Sequence, residues 1–181
     1  MSRVIAFVSG IHVLTAFICL LVGGYFLFQT GPYPQLKQRL SHASLPEEKP
    51  MSLTAIHAHF ETLQATGRSQ YASFQYLDFL NILLMLAFFS LFLAWLLQKL
   101  GKSESRMRLL VLVPTLLASL DVFENLCLLA LVAQYPKASS LGNLFPFLTV
   151  AKMVAFGLTA GTLLFLAAWA LIRRIRKSGN T

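Results

Sequence analysis

The sequence predicts an all-α polytopic membrane protein: four transmembrane helices in an antiparallel bundle, with a short amphipathic helix in the first outer loop. Three observations carry that prediction. Of 181 residues, 56% are hydrophobic and only 12% charged, about half the charged share of a soluble domain. Four apolar stretches reach the roughly 20 residues that cross a hydrocarbon core. The Lys and Arg residues, finally, gather at one set of span ends. Their excess (net +8) would suggest nucleic acid in a soluble protein. Beside membrane spans it reads instead as topology and contact with anionic lipid, so nucleic acid is not an expected partner.

The spans read as residues 4–28, 72–97, 109–133 and 144–172, within one domain of residues 1–181. Helix is the default for each, because an open strand in lipid leaves its backbone groups unpaired. The first apolar run is longer than a signal h-region and ends in Phe26-Leu27-Phe28-Gln29 without a small-residue cleavage site. It is expected to be retained as a span. Nine flanking Lys and Arg residues fall at the amino terminus, the second connection and the tail, against five in the first and third connections. Both termini should therefore face the cytoplasm, with the bacterial inner membrane as the expected location. Cys19 and Cys127 lie inside spans and form no C-x-x-C pair; they read as small apolar residues.

Residues 29–50 read as a surface loop, broken by Gly31-Pro32-Tyr33-Pro34 and by Pro46 and Pro50 around Glu47-Glu48-Lys49. Within residues 51–66, Leu53, Ile56, Phe60 and Leu63 recur at three and four, an apolar stripe on a short helix. Ser52 or Thr54 would cap its start, Gly67 would end it, and the second span would begin near Ser69. Such a helix would cover the outer mouth or lie in the interface, with His57, Phe60 and Arg68 as lid residues. His57 and Glu61, four apart, are the better-placed metal pair there, yet a solvated face explains both, and no metal is expected.

Ionisable groups inside a span cost about 2.5–3.5 kcal/mol each, which makes them functional candidates. Four occur: Asp78, Asp121, Glu124 and Lys152. At 1.5 Å per residue, Asp78, Asn81, Glu124, Asn125 and Lys152 come out roughly 9–14 Å below the outer boundary, with Asp121 a turn deeper. Helical spacing puts Asp78 with Asn81, and Asp121 with Glu124 and Asn125, on single faces. Thr149, Lys152, Phe156 and Thr159 form one stripe of the fourth span. These faces should converge on a ligand-binding layer formed by Asp78, Asn81, Asp121, Glu124, Asn125 and Lys152. Three acids against one base leave net −2 if all ionise. Either some carboxylates hold a proton, or a cation or basic ligand supplies the missing charge. A purely structural ion-pair network is the competing account. His12 reads first as a satisfied core histidine and, as the lesser alternative, as a neighbour of Asp121 near the midplane; Gly157-x-x-x-Gly161 is a close-packing motif expected to work within the bundle.

Gly67-Arg68-x-x-Tyr71, Leu77-Asp78, Asp121-x-x-Glu124-Asn125 and Lys152 together resemble the pattern of a group of small, uncharacterised four-span membrane proteins. The resemblance covers residues 67 to about 152 and implies no particular activity. In architecture the chain is also similar to the sterol-isomerase and sigma-2-receptor superfamily, in which four helices enclose an apolar cavity with buried carboxylates. That likeness implies a cavity and carries no residue across.

The expected function is binding of a small lipid-like or cationic ligand in an acidic pocket of the outer leaflet. If there is chemistry, it is acid/base work by Asp78, Asp121 or Glu124, with Lys152 and Asn125 orienting charge. No nucleophile motif, phosphate loop or zinc signature points to other chemistry, and no cofactor is expected. Two alternatives stay open: a proton- or cation-coupled transport unit, and a non-enzymatic assembly subunit. Beyond the bilayer and the ligand, the expected company is a second copy of the chain or another membrane protein.

Overall fold

A computed structural model describes residues 7–137 and 139–178; every regular element among them is helical. Helix α1, Gly10–Tyr25, continues into a π-helical turn, Phe26–Thr30. Next come α2, Pro32–Arg39, and a single 3₁₀ turn, Pro46–Glu48. Helix α3 spans Leu53–Lys99. A 3₁₀ segment, Arg106–Leu112, leads into α4, Val113–Gln134, and α5 spans Leu141–Ser178. Four stretches, Gly10–Arg39, Leu53–Lys99, Arg106–Gln134 and Leu141–Arg176, are long and apolar enough to cross a membrane.

Local chemistry sets the helix ends. Ser52 caps α3, its Oγ accepting from the Ala55 amide at 3.3 Å. At the other end Gly101 adopts φ +65°, and the Lys102 amide returns to the Leu97 carbonyl at 2.8 Å. A left-handed glycine just past the last turn closes a helix in this way. Pro32 and Pro114 stand in first turns, where a missing N–H costs little. Pro146 lies early in α5. At the start of α1 the Ser9 amide donates to His12 Nδ1 at 3.1 Å, so His12 takes the part a Glu or Gln plays in a capping box. His12 is exposed and satisfied locally, which corrects the expectation of a core histidine.

Helix α3 is the organising element. It packs against α1, α2, α4 and α5, and α4 packs against α5. The approach of α1 to α3 is close at Gly23, where a Cβ would lie 2.5 Å from Leu84 Cδ1. Two apolar clusters result. One, toward the α3 start, joins Leu36, Leu45, Ile56, Phe60, Tyr71, Phe74, Leu128, Leu131 and Phe145. The other, toward the α3 end, joins Leu93, Leu97, Leu100, Leu163 and Leu166. On α3, α4 and α5 alike, the polar residues sit between the two along the chain.

The structure departs from several sequence-based expectations. Residues 29–50 are not a surface loop. They contain α2 and the 3₁₀ turn, and Leu36, Leu45 and Pro46 are buried, because this strap completes the first apolar cluster. The stripe of Leu53, Ile56, Phe60 and Leu63 is helical, and the last three are buried. Gly67 does not end that helix. It lies buried inside α3, where a Cβ would come 2.9 Å from Leu63 Cβ. The backbone departs from helix at Gln64 instead (φ 58°), and α3 resumes well before Ser69. Gly157 and Gly161 are exposed, with open space where their Cβ atoms would stand, so they do not close-pack within the molecule. Residues 4–6 of the first span lie outside the described residues.

Candidate functional site

Convergence of α3, α4 and α5 brings the polar residues into two linked hydrogen-bonded groups. In the first, Asp78 of α3 accepts from Asn125 Nδ2 on α4 at 2.9 Å and from Asn81 Nδ2 at 3.3 Å. The three-residue spacing of Asp78 and Asn81 permits the second bond, and the inward face of α4 supplies the first. In the second group, Lys152 of α5 is ion-paired with Glu124 and lies 3.4 Å from Asp121. Thr149, one turn before Lys152, donates to Glu124 Oε1 at 2.5 Å. Glu124 is fully buried and Asn125 almost so. The i, i+3 spacing of Asp121 and Glu124 lets one ammonium sit between both carboxylates.

The third contributor comes from the strap. Tyr71 donates its hydroxyl proton to Glu47 Oε2 at 2.5 Å, and Lys152 Nζ donates to the Glu47 carbonyl at 3.3 Å. Glu47 Oε1 is out of solvent and has no hydrogen-bond partner. Burial pushes the Glu47 carboxyl up to about 7, against the opposing pull of the Tyr71 bond and the Lys152 charge. Its neighbour behaves oppositely. Burial raises Glu48 too, yet bonds from Tyr33, Lys37 and the Leu45 amide hold it below the ordinary carboxylate value. Lys37 Nζ lies 2.9 Å from Glu48 Oε2, and Tyr33 donates to Glu48 Oε1 at 2.5 Å. Two adjacent carboxylates thus differ in proton affinity because burial outweighs the bonds made to Glu47, whereas the bonds from Tyr33, Lys37 and the Leu45 amide outweigh the burial of Glu48.

These groups border a cavity of about 440 Å³. Its polar wall holds Glu47, Glu48, Asp78, Asn81, Asp121 and Lys152. Phe28, Phe74 and Phe156 form much of the apolar wall. Glu124 and Asn125 do not line it; they stand behind, holding Lys152 and Asp78 in place. Asp121, one turn from Glu124 on α4, joins the layer through its pair with Lys152. With Lys152 bound to Glu124, the cavity carries more carboxylate than ammonium. It is chemically suited to a cationic group on an apolar body.

His57, Phe60 and Arg68 are elsewhere. They gather around Tyr135: the His57 ring meets it edge-on at 5.3 Å, and Arg68 stacks over it at 4.6 Å. Arg68 also donates to the Phe60 carbonyl at 3.0 Å. None of the three lines the cavity; the 3₁₀ turn at Pro46–Glu48 borders it instead. The reason is apolar. Residues 53–63 find a full set of core partners on α4 and α5, which draws their stripe away from the mouth. His57 makes no bond to Glu61; His59 instead bonds the Ala55 and Ser44 carbonyls. Among the described residues no three His, Cys, Asp or Glu side chains converge to hold a metal ion.

Glu47 is the site residue that sequence reasoning missed. Its signal was faint. Leu36, Leu40 and Leu45 approach at apolar intervals too short to compete with the prolines around them. No protein-family model matches the chain, and no curated protein or solved structure is similar to it.

Proposed function

We propose that the chain is an integral membrane protein that binds a lipid-like small molecule with a cationic or polar head in the cavity between α3, α4 and α5. The carrying observation is the 440 Å³ cavity whose polar wall sets Glu47, Asp78 and Asp121 against Lys152 and whose apolar wall includes Phe28, Phe74 and Phe156. Such a mixed lining orients an amphiphile by its head and accommodates its body. The membrane part of the reading rests on four apolar helices and on the outward apolar face of α1, none of whose residues is buried. In this reading the spans form an antiparallel bundle with both termini cytoplasmic, in a bacterial inner membrane. The Leu53–Leu63 segment is then an amphipathic helix packed into the outer end of the bundle, beside the cavity and not over it. The likeness to a group of small four-span proteins and to the sterol-isomerase and sigma-2-receptor architecture belongs to the same proposal.

The test is to purify the full chain with its co-bound small molecules and identify them by mass spectrometry. An amphiphile with a basic group, recovered from the wild type and depleted from Asp78→Asn, supports the pocket. Recovery of a stoichiometric membrane-protein partner and no small molecule would replace this reading with that of an assembly subunit.

A further inference from the structure

The opposite end of the molecule holds a second cleft, of about 680 Å³, between the end of α3 and the last turns of α5. Lys99, Arg173 and Arg174 contribute its charge, and no acidic residue lines it. The chain has seven acids, of which only Glu104 lies in the connection that follows α3. Two of the three cations are already placed. Arg173 donates to the Leu100 carbonyl, and Lys99 lies 5.5 Å over the Trp95 ring. Lys102 stands over Trp169 in the same region. Arg174, in the turn beside Arg173, is exposed.

The cleft also has an apolar continuation. Phe92 and Trp95 form part of its wall and, equally, part of the wall of a groove of about 390 Å³ between α1 and α3. That groove runs past Leu14, Phe17 and Phe88 and is almost wholly apolar. A recess lined by three cations and a recess lined by apolar side chains thus share one wall, Phe92 and Trp95. Diffuse surface charge would not require that shared wall, nor the absence of acids within the cleft.

We infer that the basic cleft at the α3–α5 end, with the apolar groove that shares its Phe92–Trp95 wall, is a binding site for one anionic phospholipid of the facing leaflet. The phosphate sits among Lys99, Arg173 and Arg174, and an acyl chain lies along Phe92 and Phe17. Basic recesses between membrane helices take anionic head groups by this charge pairing.

Trp95 and Trp169 are the only two tryptophans, so Trp169→Phe leaves one reporter in the cleft wall. The full chain with that change is reconstituted into mixed vesicles of phosphatidylcholine and phosphatidylglycerol in which first one lipid and then the other is dibrominated, and the difference in Trp95 quenching gives the relative affinity. Phosphatidylglycerol should be preferred, and Lys99→Gln with Arg174→Gln should weaken that preference about thirtyfold, since two basic residues near an anionic head contribute about fivefold each. Arg173 stays, because it also holds the Leu100 carbonyl. Arg106→Gln with Arg108→Gln, outside the cleft, should leave the preference intact. An equal loss in that control, or no preference in the parent, overturns the site. Glycerol phosphate that abolishes the quenching difference at millimolar concentration would also overturn it, by showing that a free phosphate and not a lipid is bound.

Discussion

Removing the Lys152 ammonium would leave Asp121 and Glu124 facing each other in a low-dielectric setting with nothing between them but the Thr149 hydroxyl. Breaking a buried pair from one side costs about 3–5 kcal/mol, so Lys152→Met should be strongly destabilising. Adding Glu124→Gln should restore part of the loss, because charge then leaves from both sides. A double-mutant cycle in detergent or bicelles is expected to return a coupling above about 1 kcal/mol, within the range of polar pairs between membrane helices. Zero coupling would mean that Lys152 serves Asp121 alone. Glu47 makes a second prediction, of pH dependence. Its folded-state carboxyl is raised to about 7 from 4.5 by burial. The folded state therefore holds the proton more tightly than the unfolded chain. That contribution to stability is fully present below about pH 4.5 and is lost as pH rises through about 7. The unfolding midpoint should fall across that window, and Glu47→Gln, which still accepts from Tyr71, should flatten the fall.

Elements were legible to the extent that one residue type dominated them. The four long helices follow from apolar length alone, and the Leu53–Leu63 stripe from its three- and four-residue spacing. The strap at Pro32–Glu48 was not legible, since three prolines and a run of charges there look like solvent-exposed chain. What holds it is tertiary: Leu36 and Leu45 are fully buried in a cluster built by α3, α4 and α5. The break between the amphipathic stripe and the second span was legible to within three residues: it falls at Gln64 and not at Gly67. If the strap is structural, Leu45→Ala should cost about 2–5 kcal/mol, as core Leu truncations do. A mobile loop would give a change within about 0.5 kcal/mol. Thermal unfolding of the purified chain separates the two. A full-sized loss would also confirm that Glu47 is presented by packing and not by chance proximity.

At the scale of the whole molecule, the convergence of the polar faces was readable because helical geometry leaves few alternatives. Asp78, Glu124, Asn125 and Lys152 lie at one level once three helices alternate in direction, and lipid tolerates none of those side chains. Pairing was less readable, since counting residues cannot tell that Asp121 reaches up to Lys152 while Asn125 turns to Asp78. The charge distribution poses the remaining global question. Lys99, Lys102, Arg106, Arg108, Arg173, Arg174 and Arg176 occupy the end away from Glu47, which in the proposed topology faces the cytoplasm. Replacing Cys19 and Cys127 by Ala removes the two native thiols, after which single cysteines at Ser44 and Ser103 report the two ends separately. Ser44 precedes the strap's 3₁₀ turn and Ser103 follows α3. An impermeant maleimide added to intact cells should label position 44 and spare position 103 until the membrane is opened. The reverse pattern would turn the molecule over, placing the acidic cavity at the inner leaflet and the basic cleft outside.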